Sequence, residues 1–438
     1  MSRFHINTIK EHIGKQIKIA GFVQTIRDQG NIKFFHIRDI TGVVQIVVTK
    51  HQIEALKIAK TLTHESVIEV IGIAKEEEQA LGGFEIEVEK IKVLSLADPE
   101  LPIPVIVKGQ QGETAQATRL DWRWLDLRNP QRLLIFKVWT EVEAALREYW
   151  INNNYIEIHS PKIISAPSES GAEVFAVKYF DRRAYLAQSP QFYKQMAMAA
   201  GFERVFEVGP VFRAEPSFTS RHATEFTGYD AEISYIESHK DVMAEEEKAL
   251  QFVLEKVKTS FGEEIKSVFD REVVVPQIPF PKLSMKEAKK ILSEMGILGE
   301  KEGDLSPEEE RKIGEYIKKE FNHEFVFITE YPVDVRPFYH MRDEENPTLT
   351  KSFDLLWNGL EITTGAQREH RYNVLIKQAK EKGMNIESLQ FYLNFFKYGC
   401  PPHGGLGIGP NRMIMKLLGI DNVRDAMFIY RGVKRLEP

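Results

Sequence analysis

Between Arg204 and Glu232, two stretches of alternating apolar and polar residues, RVFEVGPVFRAE and TEFTGYDAE, flank a polar loop, PSFTSRHA. A period of two interrupted by a loop predicts a β-hairpin. One of its faces is read as carrying Arg213, Glu215, Glu225, Asp230 and Glu232. Charges on the face of a buried strand are costly unless paired or met by a ligand. An ion-pair ladder within the sheet answers them, and so does a charged ligand. Arg221 and His222 in the loop add cationic groups beside the same place, which favours an anion such as a triphosphate.

Upstream, residues 17 to 50 are rich in β-branched and aromatic residues, with turn signals at Asp28-Gln29-Gly30-Asn31 and Thr41-Gly42. Three strands are expected there, then a short helix over 51 to 60 and strands near 66 to 74 and 84 to 93. Five strands and a helix in this length suit a Greek-key barrel of the OB type, whose open face binds single-stranded nucleic acid, although a barrel with another ligand has the same inventory. Residues 1 to 50 hold eight Lys/Arg against three acids, whereas the whole chain has a formal net charge of -6. A basic segment in an acidic chain points the same way, and so would a merely solvated surface.

A proline-rich run, Asp98 to Pro104, then breaks all periodicity and reads as a stiff connector. Asn129-Pro130 supplies a helix cap followed by proline at the first helical position, and Leu134, Val138, Val142, Ala145 and Tyr149 recur at helical spacing until Asn152-Asn153-Asn154. Strands alternating with helices follow to the C-terminus. The expected architecture is α+β and multidomain: a barrel over 1–98, a linker over 99–128, and a second domain over 129–438, an antiparallel β-sheet flanked by helices, with a peripheral insertion at about 285–320.

With 438 residues, at least two domains are expected. The single cysteine, Cys400, excludes an internal disulfide and a multi-cysteine zinc site. No apolar run is long enough to span a membrane and the first residues lack the apolar core of a signal peptide, so a cytoplasmic protein is expected. Three fragments mislead. His12-Ile13-Gly14 and Lys282 to Lys286 stand in the wrong context for a nucleotide-binding βαβ unit. The run Gly405-Leu406-Gly407-Ile408-Gly409 lacks the acidic partner of a dinucleotide loop.

The segment FRAEPSFTSRHATEF resembles the second motif of the class II aminoacyl-tRNA synthetases. Residues 130 to 161 resemble their first motif, a dimer-interface element, and GLGIGPNR, residues 405 to 412, their third. Gln188 to Gln195 and Gly365 to Arg371 narrow the resemblance to the aspartyl-tRNA synthetases of the archaeal/eukaryotic branch. The resemblance implies an OB-fold anticodon-binding domain and a class II catalytic domain. The implied activity uses ATP and Mg2+ to join L-aspartate to tRNA(Asp), and in some relatives also to tRNA(Asn), in a homodimer.

Its site residues carry over position by position. Lys194 and Arg368 are implied to receive the aspartate side-chain carboxylate, the arginine bidentately. Glu169 and Asp230 would meet the substrate ammonium, with Gln191 and Thr364 as further amino-acid contacts. For ATP the implied set is Arg213 at the α-phosphate, where it also touches aspartate, then Arg221 and His222 at the outer phosphates, Phe226 on adenine and Arg412 at the γ-phosphate. Glu215, Ala223, Gly409, Pro410 and Asn411 complete it. Glu361 resembles the magnesium-binding glutamate, and Thr364 replaces a serine that helps it. Asn411 departs from the family, which usually has glutamate before this arginine. In the barrel, Phe34 resembles the aromatic under an anticodon base and Gln45 a base-edge contact, with Arg27 and Lys33 expected at phosphates. Alternation alone leaves open whether Phe34 or Phe35 faces outward. Asparaginyl-tRNA synthetase and a non-catalytic RNA-binding paralogue are the alternative readings.

Overall fold

The computed structural model describes residues 2–106, 114–167, 174–297, 299 and 301–438, and these form two compact units, Met1–Asp126 and Leu127–Pro438. In the first, β1 (Gln16–Asp28), β2 (Ile32–Arg38), β3 (Val43–Thr49), β4 (Val67–Glu76) and β5 (Phe84–Ser95) close a barrel in the order β1-β2-β3-β5-β4. Closure leaves no free edge. Inward positions of each strand, such as Ile17, Ile19, Val44, Ile46, Ile68 and Val70, build one apolar core.

Strand β2 settles the choice between the two phenylalanines: Phe35 is fully buried with Ile37 on the core side, so Phe34 lies on the outer face. Arg27 is its direct cross-strand partner on β1, and Gln45 stands two residues along β3 from its partner Val47. Arg27, Phe34 and Gln45 therefore share one face. Lys33 corrects its expected role at phosphates, because its parity turns it inward and its ammonium pairs with Asp28. Within the stretch expected as a linker, Ile103 and Val105 pack with Leu125, and short helices Gln116–Asp121 and Arg123–Asp126 form.

The second unit carries β6 (Ile156–Glu157), β7 (Ile163–Ile164), β8 (Ala176–Tyr179), β9 (Arg182–Leu186), β10 (Arg204–Phe212), β11 (Glu225–Ser234), β12 (Lys282–Ser284), β13 (Phe325–Thr329), β14 (Ser352–Trp357), β15 (Leu360–Arg368) and β16 (His403–Ile408). Eight of them form a sheet in the order β12-β13-β14-β15-β16-β11-β10-β6, antiparallel except for the β12/β13 and β10/β6 pairs, while β7, β9 and β8 make a small separate sheet. The expected α+β architecture, barrel plus sheet flanked by helices, is the one observed.

The helix Pro130–Asn152 begins where its signals put it: the Asn129 side chain accepts the Gln131 amide and Pro130 takes the first position. It packs with the long helix His239–Phe269, which lies against β15 and β16. Residues 285–320 are less peripheral than expected. Helices Met285–Glu294 and Pro307–Phe321 bury Ala288, Leu292, Ile313 and Ile317 against Val326, Ile328 and Leu356 of the sheet.

Candidate active site

The hairpin β10–β11, the central strands β15 and β16, and the helices Gln191–Ala199 and Pro410–Leu418 surround a cavity of about 400 Å3. Register decides which charges reach it. Asp230 pairs with Glu207 and Phe226 with Val211, so Phe226, Gly228, Asp230 and Glu232 share one face, and Glu225, of opposite parity, lies on the other. That corrects the expected five-charge face. Arg213 and Glu215 lie past the end of β10, in the loop, yet both line the cavity.

One end of the cavity is a buried ion network. Lys194 Nζ donates to Asp230 Oδ1 at 2.7 Å and to the Leu406 carbonyl at 3.0 Å, and stands 3.4 Å from Glu232. Arg368 donates through Nε to Glu232 at 3.0 Å and through Nη2 to the Gly405 carbonyl at 3.0 Å, with Nη1 2.9 Å from His340 Nε2. Burial would raise the Glu232 carboxyl, but the charges of Arg368 and Lys194 outweigh it and hold the group below its usual range. Burial, reinforced by Arg368, drives His340 well below the ordinary histidine value. A neutral ring accepts the Arg368 proton at Nε2. The glycine-rich β16 makes room for this network, because a Cβ at Gly405 would overlap the Glu232 carboxylate. Gln191 is held through Gln195, which also bonds Tyr392 and His403.

The other end is built for an anion. Arg213 lies 5.6 Å from the centre of the Phe226 ring, and its buried Nε has no hydrogen-bond partner among the described residues. A buried cationic donor left open in this way is expected where a ligand oxygen arrives. Arg412, in the first turn of the helix Pro410–Leu418, donates to the Glu361 carbonyl at 2.9 Å and lies 3.4 Å from its carboxylate. The start of that helix adds the positive end of its dipole. Arg221 is held by Glu310, and burial, with Arg412 next, lowers His222 and keeps it neutral.

For a cation, Glu361 and Thr364 offer hard oxygens, the threonine hydroxyl donating to the carboxylate at 3.1 Å. Burial would raise Glu361, but Arg412 and Arg336 hold it down and ionised. Among the described residues no group of three or more His, Cys, Asp or Glu is placed to hold a metal. One carboxylate completed by phosphate oxygens and water is the habit of magnesium, so the residues present fit that ion.

The cavity thus gathers Gln191, Lys194, Arg213, Glu215, Arg221, His222, Ala223, Phe226, Asp230, Glu361, Thr364, Arg368, Gly409, Asn411 and Arg412. Pro410 is buried at the head of its helix, and Glu169 lies outside the described residues. Sequence reasoning missed His340 and Glu310. His340 sits in an aperiodic loop with no local signal. Glu310 sits in an acidic first turn that reads as solvated, though a capped helix start at Ser306 was legible.

Residues 115–430 match the family of class II tRNA synthetases (D, K and N), and residues 17–94 match the OB-fold nucleic acid binding domain. The chain is 44% identical over 432 residues to the aspartate–tRNA(Asp/Asn) ligase of Aeropyrum pernix, covering 97% of this chain and 96% of that one. It is 43% identical over 442 residues to the aspartate–tRNA(Asp) ligase of Pyrococcus abyssi, covering all of both. Among solved structures, asparaginyl-tRNA synthetase from Pyrococcus horikoshii with asparaginyl-adenylate superposes with a TM-score of 0.93 at 33% identity over both whole chains. Aspartyl tRNA synthetase from Entamoeba histolytica gives 0.89 at 33% identity, covering 100% of this chain and 93% of that one.

Proposed function

Since the chain belongs to the class II tRNA synthetases of the D, K and N group, we propose that it activates L-aspartate with ATP and transfers it to the 3′ end of tRNA(Asp). The observation that carries the choice of amino acid is the pair of buried cations, Lys194 and Arg368, converging on Glu232 at one end of the cavity. An aspartate side chain brings a carboxylate to that pair. Asparagine brings a neutral amide, and the mismatch costs about 1–3 kcal/mol in a desolvated site.

The reaction needs no protein nucleophile, because the substrate α-carboxylate is already ionised. It attacks the α-phosphate in line, forming aspartyl-adenylate and releasing pyrophosphate, and a hydroxyl of the tRNA terminal ribose then attacks the aspartyl carbonyl, forming the ester and releasing AMP and the hydroxyl proton. Asp230, with Glu169, holds the substrate ammonium and orients the attacking carboxylate. Arg213 stabilises charge on the α-phosphate through its open Nε, and Arg412 and Arg221 take the outer phosphates. Phe226 receives the adenine ring. Glu361 and Thr364 would hold Mg2+, which when bound neutralises phosphate charge.

Phe34, Arg27 and Gln45 form the anticodon-reading face of the barrel. Replacing Phe34 with alanine is expected to weaken tRNA binding by about 1–3 kcal/mol, the worth of one base stack, without changing tRNA-independent ATP–pyrophosphate exchange. Equal loss in both assays would count against this role. A homodimer through the helix Pro130–Asn152 belongs to the same proposal, supported by Phe428, 63% exposed beside Phe136 of that helix. Work in the cytoplasm belongs to the same proposal, supported by the proposed substrates ATP, aspartate and tRNA. Among the described residues no helix is long and apolar enough to cross a membrane. Attachment of labelled aspartate to purified tRNA(Asp) and, separately, tRNA(Asn) tests the function. Charging of both would extend the substrate to tRNA(Asn), and charging of neither by the folded protein would reject the proposal.

A further inference from the structure

Glu310 stands outside every motif that the family resemblance supplied, on the helix Pro307–Phe321. The first turn of that helix holds Glu308, Glu309 and Glu310, and the two buried ones have different work. Glu309 accepts the Ser306 amide at 2.8 Å, closing the cap, and takes Lys289 at 2.6 Å. Glu310, 6% exposed, is turned to Arg221, which lines the cavity. Its Oε2 accepts Arg221 Nη1 at 2.7 Å and the Glu361 amide at 3.3 Å, and its Oε1 accepts Arg221 Nη2 at 3.2 Å. One carboxylate therefore ties the loop between β10 and β11 to the start of β15, the strand carrying Glu361.

The helix bearing it is seated firmly. Gly314 packs on the β14–β15 turn so closely that a Cβ there would stand 2.7 Å from the Gly359 Cα. A bidentate carboxylate fixes the plane of a guanidinium as well as its position. Of the five N–H donors of Arg221, Glu310 takes two and leaves the rest for a ligand. We propose that Glu310 is a positioning residue that holds Arg221 in place for the outer phosphates of ATP, so that the nucleotide meets an arginine already ordered. This rests on the nucleotide site proposed above. An arginine held in advance does not lose its rotamer freedom when the phosphates arrive.

Calorimetric titration of the full-length protein with magnesium and ATP, for wild type, Glu310→Gln, Arg221→Ala and the double variant, tests it. Glu310→Gln is expected to weaken ATP binding by about three- to tenfold, to leave aspartate binding within about twofold, and to add almost nothing once Arg221 is gone. Unchanged or tighter ATP binding in Glu310→Gln would overturn the proposal, tighter binding meaning that Glu310 competes with the phosphates. A full additional loss on the Arg221→Ala background would overturn it too, as would a parallel loss of aspartate binding. The functional proposal fails separately: a wild type that binds ATP but shows no aspartate-dependent exchange rejects aspartate activation and leaves the role of Glu310 standing.

Discussion

Arg368→Ala is expected to lower kcat/KM for aspartate by about 10²- to 10³-fold, the loss that follows when one partner of a buried, hydrogen-bonded charge pair is removed. Two effects combine. The guanidinium proposed to grip the substrate carboxylate is gone, and Glu232, fully buried, loses the partner that donates to it at 3.0 Å. Lys194 alone then faces Asp230 and Glu232, so the pocket becomes net negative where an anion must bind. Arg368→Lys retains the charge without the fork and is expected to fall between the two. ATP binding, at the other end of the cavity, should change little. Initial-rate ATP–pyrophosphate exchange at varied aspartate measures the effect, and a loss below about fivefold would assign Arg368 to the internal ion network alone.

Arg213→Ala is expected to act on the other side of the reaction, on kcat. Its Nε is buried with no partner among the described residues, and its guanidinium stands beside the Phe226 ring, so it is ordered before the ligand arrives. A preorganised donor aimed at developing charge is worth about 10²–10³ in rate. Single-turnover formation of the adenylate should fall by that order while the concentration of ATP needed for half-saturation moves far less. A variant with near-normal kcat and a proportionately raised KM for ATP would make Arg213 a binding group instead.

Much of this was legible in the sequence, for local reasons. The helix Pro130–Asn152 was readable to its ends because Asn129-Pro130 and the asparagine triplet are chemical signals at the termini themselves. The barrel strands followed from period two and their turns, and residues of the second and third motifs do gather in one cavity with Gln191, Lys194 and Arg368. The errors lie where local pattern and register part. Glu225 and Asp230, expected on one face, are five residues apart, which puts them on opposite faces. Lys33, expected at phosphates, falls on the same parity as Phe35, and its buried ammonium pairs with Asp28 of the neighbouring strand.

What stayed hidden is long-range. Glu232 meets an arginine 136 residues away, His340 meets the same arginine from an irregular loop, and Glu310 meets Arg221 across 89 residues. No spacing rule links such positions. An acidic helix start looks alike whether its carboxylates face water or a guanidinium, and only tertiary packing separates Glu308, exposed, from Glu310, buried.

On the proposed function, the pocket of Lys194 and Arg368 selects aspartate. Exchange of labelled pyrophosphate into ATP by the wild-type protein, with magnesium and either aspartate or asparagine at matched concentrations, tests it without any tRNA. Exchange with aspartate exceeding that with asparagine by about 5- to 150-fold, the factor that a mismatch of about 1–3 kcal/mol implies, is the predicted result. Exchange that prefers asparagine would contradict it and assign the chain to asparagine activation on the same fold.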